Sequence, residues 1–199
     1  MKKVLVTGAS GFIGSYVVKN LLEKGYYVVA SVRKKGDDKY AHLKKLEGAD
    51  RNLRFHEADL LKEGSFDEAM AKVDYVIHLA SPYVLDVDDP QRDLVDPALK
   101  GTMNILNSAQ KHPNVLRIVL TSSVAAITDE PIEGKIFKED DWNDKSKLDR
   151  NPYYYSKTLA EKATWDFIRE KKPHFSLVVI NPFVVIGPAL DDHLNESSK

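Results

Sequence analysis

The sequence predicts an α/β domain, a doubly wound parallel sheet with helices on both faces. Three observations carry that prediction. Short β-branched apolar runs alternate with amphipathic segments, a glycine-rich turn joins the first run to the first such segment, and 199 residues suit one domain of this kind. Hydrophobic residues make up 43% and charged residues 30% of the chain, enough apolar material for a core without disulfide or metal staples.

Strands are predicted over 3–7, 27–32, 53–57, 75–79, 117–121 and 175–180, and their apolar character on both faces suits strands buried on both faces. Between the first two, Ile13, Val17 and Leu21 recur every four residues with Val18 and Leu22 alongside, which is a helix with one buried stripe. Gly25 stands where a C-terminal cap belongs. Further helices are expected over 40–46, 65–71, 92–111 and 152–171. Pro97 falls inside the fourth helix, which must kink or begin there. Residues 82–90 and 128–151 read as loops, and loops of this length serve as solvated connections or as lids in equal measure. The first carries Asp86, Asp88 and Asp89, whose spacing lacks the glycine and terminal glutamate of a calcium loop. The second contains Trp142.

Composition removes several function classes. The net charge of -1 gives no electrostatic reason to expect nucleic acid or an anionic membrane as partner. The chain has no cysteine, so disulfides, thiolate catalysis and Cys-based metal sites are excluded. None of the six histidines stands at metal-ligand spacing with another histidine or a carboxylate cluster, so no metal is expected. The apolar run Val4-Leu5-Val6 is too short for a signal peptide, and no stretch approaches the ~20 apolar residues that span a bilayer. A cytoplasmic protein is expected.

Thr7-Gly8-Ala9-Ser10-Gly11-Phe12-Ile13-Gly14 lies directly between the first strand and the first helix. Gly8 and Gly11 let the backbone turn and approach a pyrophosphate, and Gly14 lets the helix pack closely on the sheet. The helix N-terminus then offers unpaired N–H groups and partial positive charge to the phosphates. In this setting the motif predicts nucleotide binding on a Rossmann-like fold. The second strand ends Ser31-Val32-Arg33-Lys34-Lys35, with no carboxylate until Asp37. Dinucleotide sites for NAD place an acidic residue here; Ser31, Arg33 and a neighbouring lysine instead suit a 2′-phosphate, so NADP(H) is expected. Asp59, after the third strand, is placed either to accept a hydrogen bond from the adenine amino group or to cap a helix.

Tyr153 and Lys157 stand four apart at the start of the fifth helix, hence on one face. A lysine ammonium one turn away stabilises a phenolate; lowering a tyrosine pKa by ~3 units takes ~4 kcal/mol, so cofactor charge and burial must contribute. Tyr154 also reaches Lys157, at i+3, while Tyr155 is expected to face the core with Leu159. The fifth strand ends Leu120-Thr121-Ser122-Ser123, and strand carboxyl ends are where sites lie in open parallel sheets. Thr121 and Ser122 suit a strand-end cap; one of the three hydroxyls is placed to hold a substrate carbonyl.

These motifs, together with Tyr153-Tyr154-Tyr155-Ser156-Lys157-Thr158-Leu159-Ala160-Glu161-Lys162 and Asn181-Pro182 through Gly187-Pro188, resemble an extended short-chain dehydrogenase/reductase. The resemblance is to its dihydroflavonol reductase, cinnamoyl-CoA reductase and methylglyoxal reductase branch, and it runs in order over nearly the whole chain. It implies Ser123, Tyr153 and Lys157 as the catalytic set, singling out Tyr153 among its neighbours. It also implies NADP(H) held by Gly8, Ser10, Gly11, Phe12, Ile13, Gly14, Arg33, Asp59, Leu60, Leu79, Ala80, Ser81, Tyr153, Lys157, Pro182 and Val184. The activity implied is reduction of an aldehyde or ketone to an alcohol, Tyr153 being the general acid, with a small-molecule carbonyl substrate and room for a homodimer. Residues 128–134 do not match the family's flavonoid-contacting residues, so a generic carbonyl reductase is expected. Members of this branch continue into a smaller substrate-binding domain. Residues 1–188 are therefore expected to be the cofactor domain and 189–199 the start of a truncated substrate region, which leaves activity of the isolated chain open. Two alternatives stand beside this: an NAD-dependent nucleotide-sugar epimerase or dehydratase, against which Arg33 speaks, and a non-catalytic NADP(H)-binding module.

Overall fold

The computed structural model describes residues 1–36, 38–81 and 87–190. Six parallel strands form one sheet in the order β3-β2-β1-β4-β5-β6: β1 (Lys3–Thr7), β2 (Tyr27–Val32), β3 (Leu53–Glu57), β4 (Tyr75–His78), β5 (Arg117–Thr121) and β6 (Ser176–Ile180). Four strands have the predicted bounds, and β4 and β6 each lack one residue at an end. The order reverses between β1 and β4, so the crevice at their carboxyl ends is the switch point at which open α/β sheets bind ligands.

Alternation along each strand sorts the core into two layers. Val4, Val6, Val28 and Ala30 pack with Val18 and Leu22 of α1 (Phe12–Glu23) on one face. Leu5, Val29, Val76 and Ile118 pack on the other with Ile105, Leu106 and Ala109 of α5 (Asp96–Gln110) and Phe167 of α6 (Pro152–Lys171). The expectation that every strand is buried on both faces holds for β1 and β2 but not for β6. At the sheet edge, Val178 and Ile180 of β6 lie on a face left 36% and 48% exposed.

The short helices differ most from expectation. The 40–46 segment is a 3₁₀ turn (Asp38–Tyr40) followed by α2 (Ala41–Lys44), and the 65–71 segment is the single turn α4 (Asp67–Met70). The four-residue α3 (Ala49–Asn52), entered through Gly48 at φ 78°, had no periodicity to announce it. At the fourth predicted helix Pro97 stands at a start, one of the two outcomes allowed to it. A π-helical turn over Gln91–Val95 runs straight into α5, in which Pro97 is in the first turn; lacking an N–H, it cannot continue an inherited hydrogen-bond ladder.

Of the aspartate run, Asp86 lies outside the described residues. Asp89 Oδ1 accepts the N–H of Arg92 at 3.1 Å, tying the end of this loop to the π turn. Residues 128–151 are pinned down by polar bonds. Arg150 bridges Asp129 and Glu130 at 2.9 and 3.2 Å, and buried Asn143 donates to Ala125 O and Ser146 Oγ, each at 2.8 Å. Among the described residues, no helix is long and apolar enough to cross a membrane.

Buried His78 ends β4. Burial first, and then the charge of Lys157, hold its pKa down at about 3. The unfolded chain takes up this proton near pH 6.5 and the folded one does not, so folding stability falls as pH drops from 6.5 towards 3. The full window corresponds to about 4–5 kcal/mol. His78→Asn is expected to flatten this acid limb in urea melts at stepped pH, and an acid limb identical to the parent's contradicts the assignment.

Candidate functional site

The glycine turn leaves β1 and enters α1 in close contact with itself and with the end of β4. Gly8 has φ +67°, and a Cβ there would stand 2.8 Å from the Ala80 nitrogen. A Cβ on Gly14 would stand 2.1 Å from the Gly8 carbonyl oxygen and 2.9 Å from Ala9 Cα. Gly14 therefore lets the helix close on the turn itself rather than on the sheet, as the sequence suggested. The Gly11 and Ser15 N–H groups close the turn onto Gly8 O and Gly11 O at 3.1 and 2.8 Å. Thr7 Oγ1 fixes the turn to the next strand by accepting the N–H groups of Leu79 and Ala80, both at 3.1 Å.

Two adjoining cavities of about 530 and 580 Å³ run along the strand ends, sharing Gly8, Gly11, Leu79 and Ser81. The first is lined by Phe12, Ile13, Gly14, Ser123, Tyr153, Lys157, Pro182 and Val184. The second is lined by Ser10, Arg33, Asp59, Leu60 and Ala80. Every site residue expected from the sequence thus lines one continuous groove, with the hydroxyl–tyrosine–lysine set at one end and the arginine at the other. Ser31 and Val32 join Arg33. Asp37 lies outside the described residues. A carboxylate that the sequence did not flag, Glu57 at the end of β3, accepts the Lys35 N–H at 2.9 Å beside this corner without lining the cavity. Asp59 Oδ1 accepts the Leu61 N–H at 2.8 Å, forming a turn rather than a helix cap. Asn104 on α5 holds that turn by donating to the carbonyls of Leu60 and Lys62 at 3.0 and 2.9 Å.

At the other end, Lys157 Nζ lies 5.7 Å from the centre of the Tyr153 ring. Lys157 is 8% exposed, and burial brings its pKa down to about 8. The capping hydroxyl after β5 is Ser123, where Thr121 or Ser122 was expected: its Oγ accepts the Ala125 N–H at 3.2 Å and caps a 3₁₀ turn over Val124–Ala126. That bond occupies a lone pair and leaves the O–H able to donate. Tyr154 lines the same cavity, whereas Tyr155 and Leu159 are only half-buried and do not form the core pair expected. None of residues 128–151 lines either cavity, so the long loop is not a lid over this groove in the structure.

Asn181 and Glu161 are the functional-site residues whose part was not foreseen. Asn181 Nδ2 donates to Glu161 Oε2 at 2.7 Å and to the Ser123 carbonyl at 3.2 Å, tying β6, α6 and the Ser123 backbone together. Both residues stood inside motifs already singled out, but nothing in their spacing said they would meet.

The NAD dependent epimerase/dehydratase family model matches residues 4–199. Cinnamoyl-CoA reductase CAD2 of Medicago truncatula is 47% identical over 204 residues, covering 98% of this chain and 61% of that protein. Dihydroflavonol 4-reductase of Gerbera hybrida is 41% identical over 191 residues, covering 93% and 52%. The structure of yeast methylglyoxal/isovaleraldehyde reductase Gre2 complexed with NADPH superposes with a TM-score of 0.88 at 35% identity, covering 98% of this chain and 63% of that one. The chain therefore spans about three-fifths or less of the length of these relatives. On this match and these relatives, the chain belongs to the NAD dependent epimerase/dehydratase family, within its extended short-chain dehydrogenase/reductase group.

Proposed function

We propose that this chain is the NADP(H)-binding and catalytic part of a reductase that converts an aldehyde or ketone to an alcohol. The observation that carries the reading is that Ser123, Tyr153 and Lys157 share one cavity with the glycine cradle. The groove fits a dinucleotide on its own geometry, because the bare glycine turn lines both of its cavities, and Gly8 and Gly14 let that turn close tightly against Ala80 and the start of α1. Gly8, Ser10 and Gly11 hold the pyrophosphate, and Arg33 with Ser31 grips the 2′-phosphate by charge-assisted bonds. Asp59 and Leu60 face the adenosine, while Leu79–Ser81, Pro182 and Val184 flank the nicotinamide half. That NADPH is named with the yeast reductase supports the same choice.

When bound, the reduced nicotinamide supplies a hydride to the carbonyl carbon. The chain's own residues handle the oxygen. Ser123 Oγ, steadied by the Ala125 N–H, donates to the carbonyl oxygen, and Tyr153 gives it a proton. Lys157, beside the Tyr153 ring, stabilises the phenolate left behind. Residues 1–188 make up this unit, and 189–199 belong to the substrate-binding region that follows; positions 191–199 lie outside the described residues. The proposed setting is the cytoplasm, with a small carbonyl compound as substrate.

The test is NADPH oxidation by the purified protein against a panel of aldehydes and ketones, with Tyr153→Phe in parallel. Tyr153→Phe is expected to lower kcat by about 10³-fold while NADPH affinity stays within a few-fold. Equal turnover by the two proteins overturns the assignment of the acid.

A further inference from the structure

A third cavity, far smaller, lies against Lys157, with about 10 Å³ of room for the centre of a water molecule. That is the size of a single water site. Its lining includes His78, Thr102, Ser122, Lys157 and Glu161, all of them nine-tenths or more buried. Among the described residues, Ser122 Oγ is the one side-chain nitrogen or oxygen fully shut off from solvent that has no hydrogen-bond partner. An orphan hydroxyl in such a place points to a water that completes it.

His78 supplies a second unanswered group, and its tautomer follows from the bonding around it. Thr7 Oγ1 already accepts two N–H groups, from Leu79 and Ala80. Its own proton must therefore go to His78 Nδ1, 2.7 Å away. With Nδ1 as acceptor, the ring proton is assigned to Nε2. That N–H has no protein acceptor among the described residues. Lys157 Nζ likewise has none, its contact being with the face of the Tyr153 ring. Two donors and an orphan hydroxyl around a water-sized space match what one water offers: two lone pairs and a proton to give.

We infer that a buried water occupies this cavity, accepting from His78 Nε2 and Lys157 Nζ and donating to Ser122 Oγ, and that His78 and Ser122 are thereby positioning residues for Lys157. The inference rests on the reading of Lys157 as the group that tunes Tyr153. The water hydrates the ammonium on a side that protein would otherwise leave dry. The titratable groups around Lys157 are His78 from β4, kept neutral, and Tyr153 and Glu161 on its own helix. None of them makes a direct ion pair with it.

The test needs neither cofactor nor turnover. Lys157 is titrated by NMR in protein labelled at lysine ¹³Cε, its signal identified by its absence from Lys157→Met. Ser122→Val fills the cavity with methyl groups. Its Lys157 midpoint is expected to fall by about half a unit or more, roughly a threefold drop in the ammonium-to-amine ratio. Ser122→Ala provides a second readout independent of the first variant's folding. It is expected to lower the Tm, because the water loses its acceptor; in a dry cavity, deleting an unpartnered hydroxyl raises the Tm. An unchanged midpoint in folded Ser122→Val, or a higher Tm for Ser122→Ala, overturns the inference. NADPH oxidation by the parent protein tests the reductase reading separately, so either can fail while the other stands.

Discussion

Lys157→Met is expected to abolish carbonyl reduction and at the same time make the protein more stable. The loss of turnover, about 10³-fold, follows from removing the charge that stabilises the Tyr153 phenolate. The gain in stability follows from burial. A lysine whose pKa lies at about 8 in the folded protein, against 10.5 unshifted, is charged at pH 7 at a cost of about 3 kcal/mol. Methionine fills similar space with no charge to desolvate. For a chain of this length, at about 2–4 °C per kcal/mol, the Tm is expected to rise by about 6–12 °C. The pH dependence carries the sign of the effect. Between about pH 8 and 10.5 the unfolded parent holds the lysine proton and the folded parent does not, so parent stability climbs with pH across that window; in Lys157→Met this climb disappears. Thermal melts from pH 7 to 10.5 beside a turnover assay check both halves. A variant that melts lower than the parent at pH 7 contradicts the account of Lys157 as an uncompensated buried cation.

Gly14→Ala is expected to destroy nucleotide binding by displacing the cradle. The added methyl would stand 2.1 Å from the Gly8 carbonyl oxygen and 2.9 Å from Ala9 Cα. Both are backbone atoms, so no side chain can swing away, and either the turn or the first turn of α1 must move. Overpacking against backbone costs about 3 kcal/mol or more. Because the turn carries the donors aimed at the phosphates, NADPH affinity is expected to fall by more than about 100-fold. Melting curves and a fluorescence titration of the variant measure the two effects. NADPH affinity within threefold of the parent's would mean that the turn does not form the cradle.

The long elements were legible because each bears its own pattern. The strands are runs of Val, Ile and Leu, read to within a residue at each end; α1 carries a helical stripe, and α6 has the predicted bounds. Elements held by tertiary contacts were not. The single-turn helix α3 is shorter than a stripe needs to show itself, and its stability comes from packing around Ala49; α4 was expected over 65–71 but forms only one turn within it, packed around Ala69 and Met70. The edge position of β6 was invisible, since Val and Ile look the same in a covered strand and in an open one.

Within the site, residues set by local motifs were all foreseen to line the groove. Those set by long-range bonds, Asn181 with Glu161 and Thr7 with His78, were not, because the partners stand 20 and 71 positions apart. The hydroxyl that caps the turn after β5 was misjudged for a related reason. Which of Thr121, Ser122 and Ser123 caps depends on where the strand releases the chain, and that is set by Ser122 and Val124 donating to the Ile180 and Pro182 carbonyls.

The most direct measurement is a titration of the protein with NADPH and NADH, followed by nicotinamide fluorescence, with Arg33→Ala in parallel. The account predicts tight binding of NADPH and weak binding of NADH. Arg33→Ala should weaken NADPH by about 10–100-fold, the worth of a charge-assisted grip on the 2′-phosphate, and leave NADH unchanged. Preference for NADH, or binding of neither cofactor by protein that melts cooperatively, would contradict it.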